Sequence, residues 1–152
     1  MNIIQLRYLS FFFGIISLLS FFNIIYSYYL NLYLNLDTYY YCLFISLIIS
    51  LIFYKIKTFE KKPNIYHKIL TVFFGYISLP LILSIPYYLS IYNLTFLNSF
   101  FEAISGFTST GFTIFENIKH IDQSLILWRS STQWIGGLYF LYSIIFLIDI
   151  YD

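Results

Sequence analysis

The spacing of its charges constrains this chain more than anything else in it. Between Arg7 and Asp37 lie 29 consecutive uncharged residues, and between Lys68 and Glu102 another 33. A soluble domain carries about 25% charged residues; here only 10% of 152 residues are charged and 60% are hydrophobic. Polar surface that scarce cannot cover a compact core, so a water-soluble globule is excluded and the chain reads as an integral membrane protein. The net charge of +1, with no long basic or acidic block, offers no footprint for nucleic acid. Cys42 is the single cysteine, which excludes a disulfide within the chain and a cysteine zinc cluster. The richness in Ile, Phe and Tyr, set against one alanine (Ala103), follows A/T-rich codons and carries no functional meaning. The Ser-Phe-Phe triplets at Ser10, Ser20 and Ser99 are the same bias rather than a repeat.

The uncharged runs set the topology. The first predicts a retained helix near Leu9–Leu30, too long for the apolar stretch of about 7–15 residues in a secretory signal. Thr38–Tyr54, 17 residues, is close to the shortest stretch that crosses a bilayer. Lys55–Lys68 holds five lysines and one glutamate and is broken by Pro63. By the positive-inside rule this loop lies in the cytoplasm, and Arg7 with the amino terminus falls on the same side. A straight helix over the 33-residue run would be about 50 Å long, against a hydrocarbon layer of about 30 Å. Pro80 and Pro86 kink it, and Tyr92-Asn93 offers a stop, so an outward span is expected near Ile69–Tyr92. The last apolar run, Leu125–Ile148, crosses back. Phe112–Ser124, with Glu116, Lys119 and Asp122, faces outward between them. Asp149–Asp152 follows with no Lys or Arg, as a chain cut before its next cytoplasmic loop would.

Thr95–Gly106 is a different kind of element. It has room for about three helical turns, roughly 18 Å. Ser99-Phe100-Phe101-Glu102 has the form of a capping box, with Thr95 as a rival N-cap. A short helix that cannot cross the membrane and ends at a glycine-rich turn reads as re-entrant, and such backbone survives at depth only where protein buries it or water lines it. Directly after it comes Ser105-Gly106-Phe107-Thr108-Ser109-Thr110-Gly111. Potassium filters replace the ion's hydration shell with rings of backbone carbonyls. Gly111 supplies the backbone freedom such a strand needs. The small hydroxyls of Thr108, Ser109 and Thr110 can bond behind it, and the helix aims the negative end of its dipole at a mid-membrane cation.

Residues 100–137 resemble the first pore repeat of the Trk/Ktr/HKT superfamily of potassium transporters, most closely the bacterial TrkH-like permeases. The resemblance rests on Phe101-Glu102 before Ser105–Gly111, then Trp128-Arg129 and Gln133-Trp134-Ile135-Gly136-Gly137. Residues 69–99 match by topology alone, as do 1–68, in the manner of the two extra amino-terminal spans of TrkH-like members. The resemblance implies an all-α membrane protein with about four transmembrane helices, one short re-entrant pore helix and a filter loop. Two regions follow: 1–68, two helices and the basic loop, and 69–152, one helix–pore loop–helix repeat. It implies transport of K+ across a bacterial inner membrane, with filter carbonyls at Thr108, Ser109, Thr110 and Gly111. It implies no enzymatic activity, no cofactor and no metal beyond K+. Partners implied are lipid, a second copy in a homodimer and a cytoplasmic nucleotide-binding regulatory subunit. Family members hold four such repeats in one chain and this sequence holds one, so a truncated fragment is expected, four assembled copies being the other route to a ring. Ser109 stands where the family has threonine, and Leu138-Tyr139-Phe140-Leu141 replaces a stretch of small residues.

Glu102 is either a helix-capping carboxylate or the partner of Arg129, since charges within membrane proteins are paired or functional. Trp128 and Trp134 are expected in the outer aromatic belt, Gly136-Gly137 in a close helix contact, His67 and His120 in loops on opposite sides, and Cys42 as a small apolar helix residue. Two other functions compete with transport. One is a small non-conducting membrane protein with an assembly or regulatory role. The other is an intramembrane hydrolase using Ser or Thr near His120, against which the absence of Gly-x-Ser-x-Gly counts.

Overall fold

The structure, a computed structural model, describes residues 5–56, 64–116 and 121–148. Every regular element among them is a helix: α1 (Leu6–Tyr29), α2 (Leu36–Lys55), α3 (Ile65–Leu83), α4 (Ile85–Tyr88), α5 (Phe96–Phe107) and α6 (Gln123–Ile148). Four stretches are long and apolar enough to cross a membrane: α1, α2, α3 with α4, and α6. The chain is thus a multi-pass membrane protein. Most of the basic loop (57–63), His120, Lys119 and the 149–152 tail lie outside the described residues. His67, expected in a loop, instead sits in the first turn of α3, because that helix starts directly after Asn64.

The outward span is one path broken into two helices. Pro80 sits within α3, and the break comes at Ser84, just before Pro86 in the first turn of α4. Proline carries no N–H, so Pro86 cannot bond the Ile82 carbonyl four residues back. Cys42 of α2 turns its thiol to that carbonyl at 3.7 Å, and one residue on the Trp128 indole of α6 donates to the Leu83 carbonyl at 3.1 Å. Trp128 is fully buried, not in the aromatic belt; the open carbonyl at the helix break draws its N–H inward. Trp134 is 60% exposed on the surface of the bundle.

Lipid is as apolar as Leu, so these helices associate by packing and hydrogen bonds rather than by escape from water. Tyr139 is the hub. Its ring meets Phe12 of α1 at 4.8 Å, Tyr76 of α3 at 5.0 Å and Phe107 of α5 at 5.4 Å, and its hydroxyl donates to the Val72 carbonyl at 2.8 Å. At the opposite end of the bundle a polar network ties three connections together. Buried Asn35 donates to Asp122 Oδ2 at 2.9 Å and accepts from the Ile91 N–H at 3.1 Å. Ser124 donates to the same carboxylate oxygen at 2.6 Å, and Tyr39 and Ser124 share a hydrogen bond of 2.9 Å.

Candidate functional site

Helix α5, 12 residues long, begins at Thr95, whose hydroxyl accepts from the Asn98 N–H at 3.3 Å. The Ser99 capping box does not form. Thr95 opens the helix one turn earlier, so Ser99 lies inside it and donates back to the Thr95 carbonyl at 3.0 Å. Glu102 is thereby free for other partners.

The helix is seated on α6 at two points where only glycine fits. A Cβ on Gly106 would collide with the Thr132 hydroxyl, and one on Gly136 would occupy the position of the Phe107 carbonyl. The Ser-Gly-Phe and Gly-Gly motifs, 30 residues apart, are therefore two halves of one contact. Gly137 has open space beside it and takes no part, contrary to the expectation for the pair. That space belongs to a cavity of about 390 Å³ lined by Tyr76, Phe107, Thr108, Ser109, Gly137 and Phe140, among others.

After Phe107 the chain turns out of the helix through a Schellman-type end. The Thr110 N–H bonds the Ser105 carbonyl at 3.0 Å and the Ser109 N–H bonds the Gly106 carbonyl at 2.9 Å. This geometry requires a left-handed residue, usually glycine. Here it is Ser109, with φ +55°, while Gly111 adopts φ +82° two residues later. A serine held there is strained, and such strain collects at functional sites. The Thr108 hydroxyl bonds the Ile104 carbonyl and the Thr110 hydroxyl, each at 2.8 Å. Ser105 then staples the strand from below, its hydroxyl donating to the Phe112 carbonyl at 2.7 Å. Residues 108–112 stay exposed.

A buried ion pair stands behind the strand. Arg129 Nη1 lies 2.9 Å from Glu102 Oε1, with side-chain exposures of 12% and 0%. Arg129 Nη2 reaches the Gly111 and Phe112 carbonyls, both at 3.4 Å. Glu102 also accepts from the Thr113 hydroxyl, 3.1 Å from each oxygen, and from the Ile114 N–H at 3.1 Å. A buried charge must be paired and hydrogen-bonded to be tolerated, and Glu102 has a guanidinium, a hydroxyl and a backbone N–H around it.

The structure thus gathers Glu102, Thr108, Ser109, Thr110, Gly111, Arg129 and Gly136 around one short helix. Gln133 and Trp134 lie on the exposed side of α6, and Trp128 belongs to the helix break. Sequence reasoning missed Thr113 and the left-handed Ser109; neither carries a motif signal, because both depend on where the strand turns. No three His, Cys, Asp or Glu side chains gather into a metal site among the described residues.

Residues 41–150 match the family model TrkH, described as a cation transport protein. Over 126 residues, 82% of this chain and 26% of the relative, the chain is 29% identical to the uncharacterized cation transporter MJ1485 of Methanocaldococcus jannaschii. It is 40% identical over 64 residues to the Trk system potassium uptake protein TrkI of Halomonas elongata, covering 42% of this chain and 12% of that one. Against the potassium uptake protein TrkG of Escherichia coli the identity is 39% over 46 residues, 30% of this chain and 10% of the relative. The chain therefore spans about a quarter or less of these relatives. No solved structure matches.

Proposed function

The chain belongs to the TrkH family of cation transport proteins, and from that premise we propose that it carries one strand of a potassium filter. In this reading α5 is a re-entrant pore helix and the carbonyls of Thr108, Ser109 and Thr110 replace part of the water shell of K+, with Gly111 completing the strand where its carbonyl takes Arg129 Nη2. The Glu102–Arg129 pair holds the strand from behind. The carboxyl end of α5 turns its negative dipole toward the cation. Residues 69–152 form the pore repeat and 1–68 the accessory helices. The protein sits in the bacterial inner membrane with its amino terminus in the cytoplasm. It works with a second copy and a cytoplasmic nucleotide-binding regulatory subunit.

The observation that carries the proposal is the exposed 108–112 strand, fixed at its base by Ser105 and backed by a buried ion pair. One strand is a quarter of a carbonyl ring, so the chain is the front part of a permease whose later segments supply the other three. The test begins by reading the gene beyond the codon for Asp152 for further Ser-Gly-x-Thr-x-x-Gly loops. The whole reading frame is then expressed in cells lacking their own potassium uptake. Growth at low K+ is expected, with a Gly111→Asp variant, which puts a carboxylate into the filter, unable to support it. If no further loops follow and the 152-residue product shows neither tetramer formation nor stabilisation by K+, the proposal fails.

A further inference from the structure

We infer that Thr113 is a positioning residue that sets the preference for K+ over Na+, an inference that rests on the filter reading above. The argument starts from how the 108–112 strand is held. Its near end is fixed by Ser105, which takes the Thr110 and Gly111 N–H groups on its carbonyl and the Phe112 carbonyl on its hydroxyl. Its far end runs on from Phe112 into residues 113–115, which are in no helix themselves. There the Thr113 hydroxyl donates to Glu102, 3.1 Å from both oxygens, and accepts the Phe115 N–H at 3.1 Å. With the Ile114 N–H on Glu102 Oε2 as well, two successive residues bond one buried carboxylate and Phe115 reaches it through Thr113. That carboxylate is itself fixed by Arg129, whose other nitrogen holds the Gly111 and Phe112 carbonyls.

Thr113 is the only side chain in this bracket that both gives and takes a hydrogen bond. Without its hydroxyl the Phe115 N–H loses its acceptor and Glu102 loses a donor, while the ion pair stays in place. The strand keeps its bonds to Ser105 and Arg129 and the Ile114 bond to Glu102, and is loosened where Thr113 tied its far end. Discrimination between two monovalent cations depends on how many carbonyls point inward and how well they hold their positions. A strand loose at one end still coordinates a cation but distinguishes poorly between sizes. A role confined to folding would lower stability and leave the preference alone.

The test uses the assembly that carries all four filter strands, reconstituted in lipid vesicles, with uptake of rubidium (as the K+ surrogate) and of sodium measured side by side. Thr113→Val keeps the shape and removes the hydroxyl; Thr113→Ser keeps the hydroxyl. The expected result is a roughly fivefold fall in the rubidium-over-sodium ratio for Thr113→Val, about what one hydrogen bond carries, and a near-normal ratio for Thr113→Ser. Should the valine variant not fold, Thr113→Ala makes the same deletion with less bulk. An unchanged ratio in the hydroxyl-less variants overturns the inference while leaving the filter reading standing. So does a serine variant that behaves like valine. An unaltered assembly that shows no preference for rubidium overturns both together.

Discussion

The α1–α2 pair and the α5–α6 unit are built from the same apolar alphabet but differ in what their outward-reaching polar groups hold. In the pair, serine and threonine hydroxyls mostly turn back on their own helix: Ser20 donates to the Ile16 carbonyl at 3.0 Å, Ser27 to Asn23 at 2.9 Å and Ser46 to Leu43 at 3.1 Å. In the α5–α6 unit Ser99, Ser130, Ser131 and Thr132 do the same, but three side chains reach away from their helix. Ser105, Glu102 and Arg129 all spend their hydrogen-bonding capacity on residues 110–114, which belong to no helix. A helix satisfies its own backbone in lipid; an irregular strand cannot, and must be given partners by the protein around it. The polar residues of the α5–α6 unit are placed to supply them.

Breaking the ion pair should have the largest effect. Arg129→Gln leaves Glu102 buried without its cation, a change that costs about 3–5 kcal/mol. Thermal melting in detergent should show this as a large loss, with Glu102→Gln milder because no unpaired anion is left behind. The double variant Glu102→Arg/Arg129→Glu should recover part of the loss. If it is no better than the single variants, the pair does not act as a unit.

The next effect separates two neighbouring glycines. Gly136→Ala must push α5 off α6, since its Cβ would meet the rigid Phe107 backbone rather than a side chain that can swing away. Overpacking of this kind costs about 1–3 kcal/mol. Gly137→Ala meets nothing within 4 Å and gains helix propensity worth up to about 1 kcal/mol. Melting temperatures of the two variants should therefore move in opposite directions. Equal losses at both positions would mean that the close contact with Phe107 does not decide the fit.

Much of this was legible in the sequence, for identifiable reasons. Charge spacing marks the first two spans, because a long uncharged run has few other uses, and with Pro80, Pro86 and Tyr92-Asn93 it bounds the third. Leu9–Leu30 is expected and Leu6–Tyr29 found; Thr38–Tyr54 is expected and Leu36–Lys55 found. Proximity of Glu102 to Arg129 follows from the rule that buried charges seek partners. The failures have their causes too. Trp128 looks like a belt residue until the break between α3 and α4, 45 positions earlier, presents the Leu83 carbonyl to its indole N–H. Ser99-x-x-Glu102 looks like a cap until Thr95 starts the helix first. The first is overridden by a backbone group elsewhere in the fold, which no local window contains; the second is a choice between two caps one turn apart, which local pattern alone does not settle.

The smallest effect belongs to the α1–α2 seam and checks the other side of the comparison. Ser10 and Ser50 exchange hydrogen bonds, each hydroxyl donating to the other's carbonyl, at 2.9 and 2.8 Å. They are an exception to the self-bonding pattern of that pair, which invites reading them as essential. Their alternative is close at hand, however. A serine parted from its neighbour can donate to the carbonyl four residues back, as Ser20 and Ser27 already do. Hydrogen bonds between membrane helices are accordingly worth only about 0.6 kcal/mol on average. Ser50→Ala should lower the melting point slightly, and Ser10→Ala/Ser50→Ala should cost close to the sum of the single changes, since each bond uses a different hydroxyl and a different carbonyl. A loss comparable to that of Arg129→Gln would show that the seam, like the strand, depends on bonds reaching across, and the contrast between the two regions would be lost.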